Sequence, residues 1–556
     1  MTETTPVEEV RTDGDGFAST HRPAGAPTVR DAALEVMRRH GLSTIFGNPG
    51  STEIPFLTDL PADIRFVLAL HEGSVVGMAS GYALARGEAA FVNLHTAAGL
   101  GNAVNAIANA RDCRAPLVIV VGQQDRRQIA SEPFLTGRAL ERLAGEYPVW
   151  RALPARAQDV PGAIARAYHE ATAARGPALV VVPMGDWLEP ADELAAAAPA
   201  RILRPHAVSA EQVAELADLL AEAESPALVV GAPGEGRDAW DAVVALAERL
   251  RCPVWQEPFS RAVGFPQDHP QFAGHLTWQR RLMRDTLARY DLVLTVGTNA
   301  FRAYLFDEPV ALVGPDTRVA VLTADPSEAH RSRCELAVLA PVAPACRALV
   351  ERLPERSETG DAPEPMRRPA PLPPPDAGEP LRPGHVLDAL AERLPRAALL
   401  VEECPSSQPE LYQRIPVRVP FGFLSTANGC LGFGLAGSIG LRMGLPDRPV
   451  VAVLGDGSTT YAIQALWSAA RYDVGVLLIV LANGRYAVMD ALARRAGGAA
   501  AWPGFGAVDI GGMARSLGCP SVRVETHDDL IRVFDEVLPE LASRREPLLV
   551  EAVVAE

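Results

Sequence analysis

Short runs of Val, Ile and Leu alternate along most of this chain with longer stretches in which apolar residues recur every three or four positions. From residue 28 the pattern predicts a helix in TVRDAALEVMRRHG, strands in STIFG and RFVLAL, a helix in GSVVGMASGYALARG, and strands in AAFVNLH, PLVIVVGQQ and PALVVVP. Strands apolar along their whole length and separated by helices belong in parallel sheets covered on both faces. A second set has strands in PALVVGAPG, CPVWQEP, DLVLTVGTNAF and TRVAVLTADP, and a third set closes the chain. The expected fold is α/β, with three consecutive domains of parallel sheets flanked by helices. The expected divisions are a disordered tail over 1–27, a first domain over 28–190, a central domain over 205–353, a Pro-rich linker over 354–383 and a last domain over 384–556. EPADELAAAAPARILRP reads as a linker, and PEPMRRPAPLPPPDAGEPLRP is too proline-rich for a helix or interior strand and reads as a tether.

Two strand ends in the last set carry chemistry. VVAVLGDGSTTY runs from an apolar strand into Asp456, with Gly455 and Gly457 on either side and Ser458 after, and VGVLLIVLANGRY ends in Asn483 and Gly484. Between them TTYAIQALWSAARYDV has helical spacing, so a right-handed crossover brings both strand ends to one edge of the sheet, where such sheets bind ligands. One carboxylate and one amide oxygen suit a hard cation such as Mg²⁺, whose other ligands are phosphate oxygens and water. The plain alternative is a surface turn capped by Asp or Ser. A second alternative is dinucleotide binding by GFGLAG, residues 432–437, with Asp456 as the ribose acid, although no clean strand precedes its first glycine.

Charge narrows the ligand. The 556 residues carry a formal charge of -16, which argues against a nucleic-acid partner. The seven cysteines contain no C-x-x-C pair, and the apolar runs are too short to span a bilayer. The expectation is a cytoplasmic chain that neither enters a membrane nor is secreted, acting on small molecules.

G-D-G-S followed at this interval by Asn-Gly resembles the diphosphate and metal motif of the thiamine diphosphate enzymes. The family's usual double asparagine is here Ala482-Asn483. The resemblance implies thiamine diphosphate and Mg²⁺ as cofactors, with Asp456, Asn483 and the main-chain carbonyl of Arg485 as metal ligands. It implies that Gly455, Gly457, Ser458, Ser406 and Tyr486 line the cofactor, and that Glu72, at a strand-to-helix junction, activates the pyrimidine end to generate the ylide. Taken alone, Glu72 is an ordinary helix-start acid.

Within the family the likeness runs furthest to the benzoylformate decarboxylases, through FGNPGSTEIPFL, NLHTAAGLGNA, CLGFGLAGSIG and GDGSTTYAIQALWSAA in order. It implies non-oxidative decarboxylation of a 2-oxo acid to an aldehyde and CO₂. Ser51 would bind the substrate carboxylate, His95 would move protons, and Leu431 would bend the cofactor from below. Tyr304 stands where those relatives have a second histidine, and a phenol is a poorer proton shuttle at neutral pH. His71 and His275 could replace that imidazole, against the plain reading of each as structural. AVMDALARRAGG, with Asp490, is less aromatic than its counterpart, so benzoylformate itself is open. The alternatives are a carboligase or lyase of the acetolactate synthase kind and a non-catalytic relative. The family's cofactor lies between two subunits, which implies a homodimer or homotetramer. Some relatives bind a flavin or nucleotide in the central domain, but GAPGEG reads here as structural.

Overall fold

The computed structural model describes residues 27–192, 202, 207–233, 236–306, 308–356, 364–376 and 378–555. The tail over 1–26, much of the first linker and residues 357–363 and 377 of the second lie outside the described residues. Three six-stranded sheets follow one another along the chain, and every strand pair that joins them is parallel. In spatial order the first sheet is Arg65–Leu68, Thr44–Gly47, Ala90–Leu94, Leu117–Gln123, Pro177–Pro183 and Trp150–Ala152. The third is Phe423–Ser425, Leu399–Glu403, Val450–Gly455, Leu477–Ala482, Leu548–Val553 and Ser521–Val524. The central sheet has Pro226–Val230 and Leu292–Val296 as neighbours in its middle.

The predicted runs become central strands because both faces are covered. Leu117–Gln123, Pro177–Pro183 and Val450–Leu454 are buried throughout, as expected where helices pack on both sides of a parallel sheet. The helical stretch after Asp456 is broken, contrary to its spacing: Asp456–Thr460 and Ala465–Arg471 are separate helices. Residues 364–376 of the proline-rich segment are neither helix nor strand. They are held against the two later domains: Arg368 donates to the carbonyls of Gln267 and Gln413, and Leu372 N donates to Asp388.

The first and third domains share one apolar core, to which Phe46, Val92 and Leu100 contribute from one side and Leu435, Leu454 and Leu478 from the other. At its centre the helix Glu72–Arg86 lies along the helix Phe433–Gly444. Their backbones meet. A Cβ on Gly77 would stand 2.8 Å from that of Ala436, one on Gly444 2.6 Å from that of Ala85, and side chains at Gly81 and Gly440 would run into the carbonyls of Gly437 and Met78. The central domain has a core of its own. Among the described residues, no helix is long and apolar enough to cross a membrane.

Candidate active site

Three neighbouring strands of the first sheet end in polar residues at their carboxyl edge. Thr44–Gly47 leads to Asn48 and the turn Gly50–Ser51, Arg65–Leu68 leads to His71 and Glu72, and Ala90–Leu94 leads to His95. Glu72 is buried at the start of its helix. Its two oxygens accept from Asn48 Nδ2 and Asn102 Nδ2, each at 3.0 Å. Among the described residues no basic side chain forms an ion pair with it, so the acid is oriented by neutral donors.

His95 is held more tightly than the sequence suggested. Its Nδ1 lies 2.9 Å from Glu53 Oε2 and 3.0 Å from Thr52 Oγ1, and its ring packs against Gly50, where a Cβ would collide with it. Glu53 is 1% exposed and also accepts from Gly50 N at 2.8 Å. With Nδ1 committed, Nε2 is the ring nitrogen left for chemistry. Ser51 is exposed on the same turn. The hydrogen bond that His95 donates to Glu53 raises the His95 pKa above its ordinary value, with burial opposing and the charges of Glu53 and Glu72 assisting. A raised histidine pKa stabilises the fold fully below the ordinary value, near pH 6.5, and that contribution fades as pH rises through the raised value. Glu53→Gln is therefore expected to shift the His95 titration to lower pH, as followed by imidazole NMR. An unchanged midpoint would show that the acid does not set it.

Three neighbouring strands of the third sheet converge in the same way, through Glu403 to Ser406, Gly455 to Asp456, and Ala482 to Asn483. Asp456 is buried and accepts from Gly457 N at 2.7 Å and Gly484 N at 2.6 Å. Burial raises its pKa, with those amides opposing. Asn483 Oδ1 accepts from Arg485 N at 3.1 Å, and Ser406 Oγ from Val488 N at 3.1 Å. Ser406, Asn483 and Ala487 share the wall of a cavity of about 320 Å³. Gly457 is required by a ring: a Cβ there would stand 2.5 Å from Tyr486, which packs on Phe505 at 4.9 Å between centroids. Arg485 Nε donates to buried Asp490 at 2.6 Å, and Trp502 Nε1 to the other oxygen at 3.0 Å. The Trp502 contact, together with Phe505 N to Gly484 O at 2.7 Å, folds segment 496–508 over the loop that follows Asn483.

This donor set fits a hard divalent ion. Asp456 is a buried carboxylate without a basic partner among the described residues, and its neighbours Asn483 and the Arg485 carbonyl are oxygen donors. No cluster of three His, Cys, Asp or Glu side chains suited to a metal occurs among the described residues, so a metal here would depend on amide, carbonyl and phosphate oxygens.

The dinucleotide reading of GFGLAG fails on geometry. A short strand, Phe423–Ser425, does precede it, but the amides of Gly432 and Gly434 donate to Glu403 Oε1 and Oε2 at 2.8 and 2.6 Å. A carboxylate occupies the place a diphosphate would need. Burial pushes the Glu403 pKa up to about 8, against those amides.

Among the described residues Tyr304 forms no hydrogen bond with either group. It is 61% exposed, and its ring meets Trp278 edge-on at 5.9 Å, while Arg495, from the helix Ala487–Arg495, lies over the Trp278 ring at 5.6 Å. Of the two substitute imidazoles, His275 is closed off and His71 keeps only its Nε2 free of the helix cap. His275 is enclosed, stacked on Tyr412 at 4.2 Å and pushed down to about 3 by burial, and His71 Nδ1 accepts from Gly73 N at the helix cap.

Reading the sequence missed Glu53, Thr52, Asn48, Asn102 and Glu403. Only Glu53 had a local signal, since it follows Gly50 by one turn and caps it. One helix ties the first polar group to the third domain of the same chain. Along Thr96–Asp112, Asn102 holds Glu72 and, one turn later, Asn105 Nδ2 donates to Leu431 O at 3.0 Å.

Three family models match the chain: the thiamine pyrophosphate enzyme N-terminal TPP binding domain over residues 27–140, the central domain over 213–349 and the C-terminal TPP binding domain over 406–552. A benzoylformate decarboxylase of Pseudomonas aeruginosa is 38% identical over 531 residues, which is 94% of this chain and 98% of that protein. The acetolactate synthase large subunit of Parasynechococcus marenigrum is 27% identical over 493 residues, 83% and 77% of the two chains. Among solved structures, the thiamine diphosphate-dependent 4-hydroxybenzoylformate decarboxylase of Rhodococcus jostii RHA1 superposes with a TM-score of 0.89 at 33% identity, over 95% of this chain and 99% of that one.

Proposed function

This chain belongs to the thiamine pyrophosphate enzyme family, and from that premise we propose that it decarboxylates a 2-oxo acid non-oxidatively and releases the aldehyde. The observation that carries the reading is the pairing of two polar groups: a buried acid held by two amide donors on one sheet edge, and a set of oxygen donors on the other. When bound, thiamine diphosphate would supply a nucleophilic carbon for the 2-oxo group and a cationic thiazolium ring as the sink for the electron pair that CO₂ leaves behind.

Asp456, Asn483 and the Arg485 carbonyl would hold Mg²⁺, and Gly455, Gly457, Ser458, Ser406 and Tyr486 would line the diphosphate end. Glu72, fixed by Asn48 and Asn102, would accept a hydrogen bond from the pyrimidine. Ser51 would orient the substrate carboxylate. His95 Nε2 would deliver the proton that completes the aldehyde, and Glu53 keeps that imidazole in its protonated form more readily. Tyr304, beside Trp278, would contribute a hydrogen-bond donor at the pocket mouth. The assembly would be a homodimer or homotetramer, with the first domain of one copy facing the third domain of another.

The test is product analysis with a graded set of aryl and aliphatic 2-oxo acids, in the presence of thiamine diphosphate and Mg²⁺. CO₂ and aldehyde in equal amounts are expected. An acyloin or acetolactate as the main product would transfer the chain to the carboligases.

A further inference from the structure

We propose that Glu403 is a positioning residue for this reaction, its carboxylate fixing the peptide plane from which the Leu431 side chain projects. The proposal rests on the role given to Leu431 as the apolar seat of the bent cofactor.

Glu403 closes the strand Leu399–Glu403 and is 3% exposed. It sits a short step before Ser406, so one loop joins it to the diphosphate end. Its oxygens divide between two amides, Gly432 N at 2.8 Å and Gly434 N at 2.6 Å. The helix Phe433–Gly444 has no cap of its own, because its N-cap residue is Gly432. The cap therefore comes from another strand of the sheet.

A cap alone would not single this residue out. The Leu431–Gly432 peptide does, because it is gripped at both ends. Its amide is held by Glu403 from the third domain and its carbonyl by Asn105 Nδ2 from the first, at 3.0 Å. Gly432 has φ +101°, a backbone conformation that a glycine adopts freely and leaves freely. Without the two tethers nothing local would hold Leu431 at one height. Packing leaves the acid little freedom, since a Cβ on Gly434 would stand 2.7 Å from that of Glu403. Once ionised, above about pH 8, Glu403 accepts from both amides, whereas glutamine has the same shape but only one accepting oxygen and would set its NH₂ against one of them.

The experiment uses the full chain loaded with thiamine diphosphate and Mg²⁺, without substrate. Cofactor affinity is read by fluorescence titration, and activation by deuterium exchange at the reactive carbon of the bound cofactor, followed by quenched NMR. Glu403→Gln and Asn105→Ala are each expected to slow exchange about 10- to 100-fold with affinity within about threefold of wild type. The double variant should be slower by less than the product of the two, because both act on one peptide. Wild-type exchange in both single variants, or strictly multiplicative effects, would overturn the proposal. Asn105 lies at the surface, so its variant decides the matter if Glu403→Gln does not fold. Leu431→Ala separates the two layers. If it exchanges at the wild-type rate, the Leu431 assignment is wrong; if it is slow while the tether variants are not, only the role of Glu403 is wrong.

Discussion

With glutamine at position 72, turnover is expected to fall about 10²- to 10⁴-fold, the range general acid–base catalysis contributes, while thiamine diphosphate still binds. Among the described residues the carboxylate is held by Asn48 and Asn102, both neutral donors. An amide of the same size fits the same space but has one accepting oxygen where the acid has two. It can satisfy one asparagine and lose the other, or satisfy neither and turn outward. In each case the group facing the cofactor can no longer accept a hydrogen bond as an anion. Because no ion pair is broken, the thermal midpoint of the unloaded protein should hardly move. Steady-state kinetics beside a cofactor titration gives the answer, and a variant within about twofold of wild type in kcat would remove Glu72 from the mechanism.

The second large effect is at the opposite edge. Asp456→Asn is expected to weaken retention of Mg²⁺ and thiamine diphosphate by more than about 100-fold, since even outer-shell changes at metal sites cost 10- to 100-fold. The unloaded variant should be at least as stable as wild type. Asp456 is a buried charge that accepts two amide hydrogen bonds and has no basic partner among the described residues, and desolvating such a charge opposes folding. The signature is therefore a thermal midpoint that is normal without ligands but no longer rises when they are added. A variant that still gains stability from metal and cofactor would place the ion elsewhere.

These residues were legible because each ends an apolar strand. A strand buried on both faces leaves a strong hydrophobic signal, and a polar residue at its carboxyl end stands out against it, as Asp456, Asn483 and His95 do. The supporting residues leave no such mark. Asn48 and Asn102 reach Glu72 from another strand end and from a helix face, and Glu53 reaches His95 across 42 residues. Edge strands such as Trp150–Ala152 and Phe423–Ser425, three residues each, are too short to show a period. The break in the helix after Asp456 was hidden because residues 461–464 keep a helical composition while forming a turn. His275 looked like any other imidazole until its stacking on Tyr412 and its burial were visible.

The glycine-lined contact between helices Glu72–Arg86 and Phe433–Gly444 bears on how this chain could be redesigned. Anyone building variant libraries should treat that contact as an axle, since even alanine at position 81 or 440 would pry the first domain away from the third domain of the same chain. Diversity is better placed around Trp278, Tyr304 and the cover at 496–508, where new side chains could reshape the entrance without shifting the frame.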